Sequence, residues 1–402
     1  MSIAILNKVS HKNNPYENWL SDLNEDIVML TSRETSFGHP KERYSHVEIF
    51  DDYIDSSEVE NRLIELDKLY HFREIIVLSE YDIIRAGRLR DILNLEGQSY
   101  FSAESFRNKI LMKQLANKSN INTPQFSRIK GVKDIYNFVG EFGYPLVIKP
   151  IYGSGSEDTH IISDNNDISN FINVYSEVLK DFEIETFVEG EMYHVDGLIV
   201  GGEIYFSCVS KYYLDCLAFK EGKAVSSYLL EESNWIKDEL LKATTKLLAG
   251  LPTPLNTAFH AEFFHSKSDE IILCEIASRS GGGEIINVIN KTYKIHLNES
   301  LVRSICGLEV KKPVIPKEKL GGFSLIPPKK GIFKGYKTNI DYPWIQEVKY
   351  HAEIGKKYDD AQHSVEQIAA VIVAGDTEQE LRYRIDKINL WFEENAIWDP
   401  LT

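Results

Sequence analysis

The sequence predicts a chain of the α/β class that starts with an open sheet and continues into lobes of mixed helix and strand. Two observations support this class. In the first hundred residues, short apolar runs alternate with helix-like segments, which is the pattern of an open α/β sheet. Further along, two strand-like runs flank Gly201-Gly202, which is a hairpin signal.

Composition excludes several classes of protein. The 402 residues suffice for two or three domains, and 61 acidic against 45 basic residues give a net charge of −16. Such a charge repels nucleic acids and anionic membrane surfaces, so neither is expected as a main partner. The four cysteines show no C-x-x-C spacing and predict reduced core thiols. With no signal peptide and no apolar run of roughly 18 residues, we expect a cytoplasmic protein; its oligomeric state is left open.

The N-terminal unit is expected over residues 1–98. Apolar runs predict strands over 3–6, 27–30, 47–50 and 75–78, and polar segments between and after them predict helices over 58–69 and 81–93. No G-x-G-x-x-G follows the first strand, so the sequence does not support a dinucleotide site there.

A second unit is expected over residues 99–310. A helix over 102–118, with Ser102 as its N-cap, opens this unit. The strands predicted after it cover 145–150, 159–162, 183–188, 193–200, 203–209, 258–264 and 271–276. Helices are predicted over 234–249 and around Ile285. Residues 311–402 form the expected C-terminal lobe, with a strand over 369–374 and a helix over 376–392 that Asp376 caps.

Lys149 ends an apolar strand, where a lysine is costly to bury unless it meets an anion. The small-residue loop Tyr152-Gly153-Ser154-Gly155-Ser156 follows at once, and its backbone N–H groups can face phosphate oxygens. Together they favour a polyphosphate site, although the loop alone is also typical of a plain hairpin turn. It is not a Walker A loop.

Two glutamates, Glu262 and Glu275, lie on neighbouring predicted strands. Carboxylates that face each other repel unless a cation lies between them, and Mg²⁺ takes carboxylate and phosphate oxygens. Either glutamate alone could be a solvated strand residue. Arg279, four residues after Glu275, could neutralise charge on a transferring phosphoryl group.

These motifs, taken in order, resemble those of the ATP-grasp superfamily. The matching segments read RNKILMK, YPLVIKP, GSGS, IETFVEGEMYHVDG, HAEFF and LCEIASRSGGG. The resemblance covers roughly residues 1–375 and implies an ATP-grasp fold with an N-terminal open α/β domain and a C-terminal lobe. Within the superfamily the chain is most similar to the carboxylate–amine ligases that join L-amino acids into dipeptides.

The resemblance implies a role for each motif residue. It assigns the α- and β-phosphates to Lys109 and Lys149, and the flexible flap over them to Gly153, Ser154 and Gly155. It assigns the adenine edge to Glu185, with Thr186, Phe187 and Val188 forming the hinge strand, and the ribose to Glu191 or His194. It assigns Mg²⁺, or Mn²⁺, to Glu262 and Glu275, and the transferred phosphate to Arg279.

Two positions depart from the superfamily's pattern. Many relatives have asparagine where this chain has Ala277, so one metal ligand is missing or replaced. Relatives often have an acid where this chain has Met192, which makes Glu191 the expected substitute at the ribose. His260 shares a strand face with Glu262 and either contacts substrate or flanks the metal site.

The resemblance therefore implies an ATP-dependent ligase whose partners are free amino acids. It would form an amide bond between two L-amino acids through an acyl phosphate and release ADP and phosphate. The alternatives are a ligase for another carboxylate and amine, and a non-catalytic ATP-binding protein that kept the fold.

Overall fold

The computed structural model describes residues 2–214, 216–315 and 319–400. Its N-terminal part is a parallel sheet in the order β3-β2-β1-β4. The strands are β1 (Ser2–Asn7), β2 (Asp26–Ser32), β3 (His46–Phe50) and β4 (Phe72–Val77), with helices α1 (Tyr16–Trp19), α2 (Glu58–Tyr70) and α3 (Ile83–Leu93). The predicted open α/β sheet is thus confirmed, and every residue of β1 is buried, as expected for a central parallel strand.

The single helix predicted over 102–118 is wrong. Two helices stand there, α4 (Tyr100–Ser105) and α5 (Lys109–Lys118). Ser99, not Ser102, caps α4, and the Asn108 side chain accepts a hydrogen bond from the Leu111 N–H at 3.2 Å to cap α5. The apolar spacing continues across the break, so only the two caps reveal it. As a result Lys109 is the first residue of α5.

A small antiparallel sheet in the order β5-β8-β6-β7 follows. Its elements are β5 (Phe126–Arg128), α6 (Val132–Phe142), β6 (Leu146–Pro150), β7 (His160–Ile162), α7 (Asn165–Tyr175) and β8 (Phe182–Thr186). The two helices pack on the sheet through a core that includes Ile135, Phe138, Ile168 and Phe171. The glycine- and serine-containing loop joins β6 to β7 at one end of this sheet.

The next part of the chain builds most of a second, larger sheet. Its elements are β9 (Gly190–Val200), β10 (Glu203–Tyr212), β11 (Val225–Leu229), α8 (Trp235–Gly250), β12 (Thr257–Ser266), β13 (Ile271–Ala277), α9 (Ile285–Tyr293), α10 (Leu297–Ile305) and β14 (Leu320–Ile326). The predicted hairpin around Gly201-Gly202 is confirmed as β9 and β10, and β12 pairs with β13 as expected.

The last elements are β15 (Gly331–Tyr336), β16 (Ile345–Tyr350), β17 (Lys357–Tyr358), β18 (Ala369–Gly375), α11 (Glu378–Asn395) and β19 (Ala396–Asp399). Thr377 caps α11, because its hydroxyl accepts the Glu380 N–H at 3.1 Å, so the expected Asp376 cap is wrong. Among the described helices, none combines the length and apolar character that crossing a bilayer requires.

The large sheet has eight strands in the order β13-β12-β9-β10-β11-β14-β18-β16. Strands on both sides of residue 310 therefore share one sheet, and the unit boundaries near 98 and 310 stay predictions. One face of this sheet points toward the small sheet and the N-terminal sheet, and the candidate site lies there.

Candidate active site

Two cavities meet at the two strand glutamates. The first, of about 230 Å³, lies between the small sheet and the large sheet, and the second, of about 510 Å³, lies between the large sheet and the N-terminal sheet. Five residues line both cavities: Ser154, Ser156, Cys216, Glu262 and Glu275. A group bound in one cavity can therefore reach a group bound in the other.

Most of the residues predicted to hold a nucleotide line the first cavity. They are Lys109, Lys149, Gly153, Ser154, Glu185, Thr186, Phe187 and Val188. Apolar side chains, among them Val147, Ile161, Met192 and Phe264, supply the rest of the wall. Gly155 lines the second cavity instead, on the far side of the same loop.

Lys109 connects the loop to the strand glutamates. Its Nζ lies 3.0 Å from Glu275 Oε2 and donates a hydrogen bond to the Gly153 carbonyl at 2.7 Å. Burial raises the pKa of Glu275, but the charges of Lys109 and Lys149 outweigh it and lower that pKa to about 2. Glu275 is therefore an anion at neutral pH, as a metal ligand must be.

A buried cluster of two lysines and two glutamates borders the first cavity, and two of its members, Lys149 and Glu185, line that cavity. Lys149 Nζ lies 2.7 Å from Glu185 Oε1, and the fully buried Lys113 lies 2.6 Å from Glu183 Oε1 and also bonds Glu185. Burial lowers the pKa of Lys149, but the charge of Glu185 raises it well above its usual range. Lys149 thus stays charged.

Sequence reasoning missed Lys113 and Glu183. Periodicity contained a signal for both, because Lys113 follows Lys109 by one helical turn and Glu183 precedes Glu185 by two strand residues. In the structure the Glu185 carboxylate bonds two lysines, and its contact with an adenine amino group stays a prediction.

The structure does not bring Glu191 or His194 to the first cavity, so their predicted ribose contact is not supported. Glu191 points to the opposite face of β9, where it pairs with Lys211. His194 is 1% exposed, with Nδ1 2.5 Å from Asp196 Oδ2 and Nε2 2.6 Å from Ser227 Oγ. Glu189, two residues before Glu191, does line the first cavity.

Glu262 and Glu275 are direct register partners on β12 and β13. Opposed residues on antiparallel strands hold their Cβ atoms about 4.5–5.5 Å apart, so one cation can bind both carboxylates. Glu262 Oε1 accepts a hydrogen bond from the Tyr212 hydroxyl at 2.8 Å. A pair of carboxylates beside the lysine-lined first cavity fits Mg²⁺, which prefers oxygen ligands. Ala277, on the same strand, is apolar and supplies no further ligand.

Arg279 lines the second cavity. Its guanidinium bonds Glu80 and donates to the Ser280 carbonyl at 2.7 Å. Burial lowers the pKa of Arg279, but the charge of Glu80 raises it above its usual value. Glu80 lies just after β4, and Arg107 also bonds it. Sequence reasoning missed Glu80 and Arg107, although a polar residue at the carboxyl edge of a parallel sheet is a known position for ligand contacts.

Both roles that the sequence left open for His260, substrate contact and a place beside the metal site, stay predictions. His260 lines the second cavity, its Nε2 lies 3.3 Å from Glu262 Oε1, and its Nδ1 lies 2.8 Å from Asp196 Oδ1. Burial lowers the pKa of His260, but the charge of Asp196 raises it to about 10. A bond to a carboxylate on one ring nitrogen fixes the orientation of the other.

Comparison with known proteins agrees with this geometry. Residues 142–288 match the ATP-grasp domain family. The chain is 28% identical over 352 residues to an L-arginine-specific L-amino acid ligase of Bacillus subtilis, and the match covers 84% of each chain.

Two solved structures share the fold. The L-amino acid ligase of Bacillus licheniformis superposes with a TM-score of 0.77 at 15% identity, over 99% of this chain and 98% of that one. The biotin carboxylase domain of the Hydrogenobacter thermophilus 2-oxoglutarate carboxylase, crystallised with MgADP, superposes with a TM-score of 0.68 at 14% identity, over 98% and 90%. These similarities confirm the expected fold and the expected resemblance.

Proposed function

The chain carries an ATP-grasp domain and is similar over most of its length to an L-amino-acid ligase, and from this premise we propose that it joins two L-amino acids in an ATP-dependent reaction. In this proposal it is a carboxylate–amine ligase that forms an acyl phosphate and releases ADP and phosphate. The substrates are free amino acids.

One observation supports this proposal above all: two cavities of different character meet at a pair of opposed carboxylates. The first cavity is lined by two lysines, by the end of strand β8 and by apolar side chains, which suits a nucleoside triphosphate. The second has an arginine and room for small molecules. Phosphoryl transfer needs its donor and acceptor on either side of such a junction.

ATP would lie in the first cavity, with its phosphates toward Lys109 and Lys149. Glu262 and Glu275 would hold Mg²⁺, or Mn²⁺, which supplies charge neutralisation for the phosphate oxygens when bound. The glycine- and serine-containing loop would cover the phosphates. Its Gly155 carbonyl already accepts a hydrogen bond from the Ser364 N–H at 3.1 Å, so the loop reaches the C-terminal part of the chain.

The chemistry requires two displacements. A carboxylate oxygen of the first amino acid attacks the γ-phosphorus of ATP, the bond from that phosphorus to the β–γ bridging oxygen breaks, and ADP departs. The amine nitrogen of the second amino acid, after losing a proton to solvent, then attacks the acyl carbon. The carbon–oxygen bond to phosphate breaks, the nitrogen passes a second proton to the departing phosphate, and an amide and inorganic phosphate result. Arg279 neutralises charge on the transferred group, and the loop keeps water out.

The test is an assay of the full chain with ATP, Mg²⁺ and amino acids, singly and in pairs. We expect ADP and phosphate in equal amounts, and a product whose mass equals the two amino acids minus water. AMP and pyrophosphate would refute the mechanism. A different amide product would keep the ligase and replace the substrates, which is the alternative of another carboxylate and amine.

A non-catalytic ATP-binding protein is the second candidate, and Ala277 is the observation that favours it. It predicts nucleotide binding without turnover for every amino acid pair, and the same assay with calorimetric ATP binding distinguishes it. A cytoplasmic location stays a prediction.

A further inference from the structure

We propose that the second cavity selects an amino acid with an uncharged, apolar side chain. This inference rests on the proposed function, because it names the substrate class of the same site. It also separates this chain from the similar ligase of Bacillus subtilis, whose name states that it is specific for L-arginine.

One wall of the second cavity is apolar and continuous. Val225 on β11 and Leu325 on β14 are direct register partners, so their side chains stand on the same face of the sheet. Phe323, two residues from Leu325, continues that face. Ile285 at the start of α9 and the half-exposed Val365 also line the cavity, as do polar residues that include Asn14, Asn287 and Asn298.

The Gly281-Gly282-Gly283 segment packs directly onto this wall. A Cβ atom added to Gly283, whose φ is +59°, would lie 2.9 Å from Leu325 Cδ1. A Cβ atom on Gly282 would lie 3.5 Å from Val365 Cγ1. Because glycine stands at both positions, this segment adds no polar side chain to the apolar wall.

Charged residues also line the cavity. Among the residues that the structure describes, three carboxylates line it: Glu80, Glu262 and Glu275. Glu80 is taken by Arg107 and Arg279, and Glu275 by Lys109. Glu262 accepts from Tyr212 and lies against His260.

These positions decide which side chains the cavity favours. A guanidinium or ammonium group placed on the apolar wall would lose its solvent, and each of the three lining carboxylates already bonds another side chain, so burying such a group is costly. An aliphatic or aromatic side chain would instead remove from water both its own apolar surface and that of the wall. The wall therefore favours leucine, isoleucine, valine, methionine or phenylalanine over arginine, lysine and the acidic amino acids.

The experiment measures kcat/KM for these amino acids, each paired with alanine, by phosphate release and product mass. We expect the best apolar amino acid to exceed alanine paired with itself by at least about tenfold, as apolar pockets discriminate, and to exceed arginine and lysine by more. A preference for arginine, lysine or an acidic amino acid would overturn the inference.

A variant tests the wall itself. Val365→Asp puts a carboxylate at the half-exposed rim of the cavity, where folding is expected to tolerate it. Val178→Asp is the matched control, because Val178 is 41% exposed, close to the 46% of Val365, and lines neither cavity. We expect the first variant to lower kcat/KM for apolar amino acids at least about tenfold, raise it for arginine, and leave KM for ATP unchanged. An unaltered preference in a folded Val365→Asp variant would contradict the assignment.

Failure of the proposed function is separable from failure of this inference. If no pair is turned over, the ligase proposal falls. Calorimetric titration of leucine and arginine into the chain with a non-hydrolysable ATP analogue still decides the preference. Tighter binding of leucine supports the inference, and equal or tighter binding of arginine overturns it.

Discussion

At the residue scale, Lys149 pairs with Glu185, and we propose that it also acts as a cation for the ATP phosphates. We expect Lys149→Ala to weaken ATP binding by roughly tenfold to a hundredfold, since a charged hydrogen bond contributes about 1.5–3 kcal/mol. Calorimetric titration with ATP measures this, and the exposed Lys180→Ala is the control. Unchanged affinity in a folded Lys149→Ala variant would remove Lys149 from the nucleotide site.

Glu275, like Glu262, lines both cavities. Glu275→Gln keeps the size of the side chain but removes its charge, and Ala277 cannot compensate as a ligand. Metal stabilisation of phosphoryl transfer is worth several kcal/mol, so losing about half of it lowers turnover by at least about a hundredfold. Phosphate release over a range of Mg²⁺ concentrations measures the effect.

The exposed Glu270→Gln, in the turn between β12 and β13, is the matched control for that variant. Near-normal turnover of Glu275→Gln would refute its role as a metal ligand and leave the rest of the site intact.

At the scale of elements, the loop between β6 and β7 is held by side chains from the segment that begins α5. Lys109 holds its Gly153 carbonyl, and Arg107 donates to the Tyr152 carbonyl at 2.6 Å. ATP phosphates would add contacts to its backbone, so we expect ATP with Mg²⁺ to slow chymotryptic cleavage after Tyr152, which is 40% exposed. Cleavage after Phe37, which is exposed and lines neither cavity, should not change. Equal cleavage after Tyr152 with and without nucleotide would argue against a flap.

At the carboxyl edge of the N-terminal sheet, His39 is buried with Asn7, His11 and Tyr44 around it. Burial, with the charge of His11, lowers the pKa of His39 from 6.5 to about 4, while the charge of Glu17 opposes this. The unfolded chain therefore binds a proton at this residue at higher pH than the folded chain does, and stability is lost as the pH falls from about 6.5 toward 4.

We expect His39→Gln to lose less free energy of unfolding than the wild type between pH 7 and pH 5, because glutamine cannot titrate. Urea denaturation of both proteins at the two pH values measures the difference. An identical loss in both would show that His39 does not contribute to the acid sensitivity of this unit.

At the scale of the whole molecule, three sheets surround the two cavities in which we propose that nucleotide and amino acid bind, so the proposed acyl phosphate can be tested for by trapping. With ATP, Mg²⁺, hydroxylamine and the preferred amino acid, we expect a hydroxamate, with one ADP and one phosphate for each hydroxamate formed. The hydroxamate must disappear when ATP is omitted. A hydroxamate that forms with AMP and pyrophosphate would instead indicate an adenylate.

Local patterns predicted the N-terminal strands and many later elements, but not α6, α7 or α10, and motif order predicted most of the residues proposed for the nucleotide site. Apolar runs located the strands of the N-terminal sheet, and motif order located Lys109, Lys149, Glu262 and Glu275, because residues within one strand, helix turn or loop have fixed relative positions. The break between α4 and α5 and the Thr377 cap escaped, since capping depends on local hydrogen bonds that several neighbouring polar residues can supply equally well.

Only the tertiary structure decided which residues share the site. Lys113 joins Glu183 and Glu185 from a helix 70 residues away, and Glu80 reaches Arg279 from the N-terminal sheet. The same packing leaves His194 buried against Asp196 and Ser227 and sets Val225, Phe323 and Leu325 side by side along the second cavity. Such juxtapositions depend on sheet order and on the packing of sheets against each other, and a linear pattern of residues does not contain either.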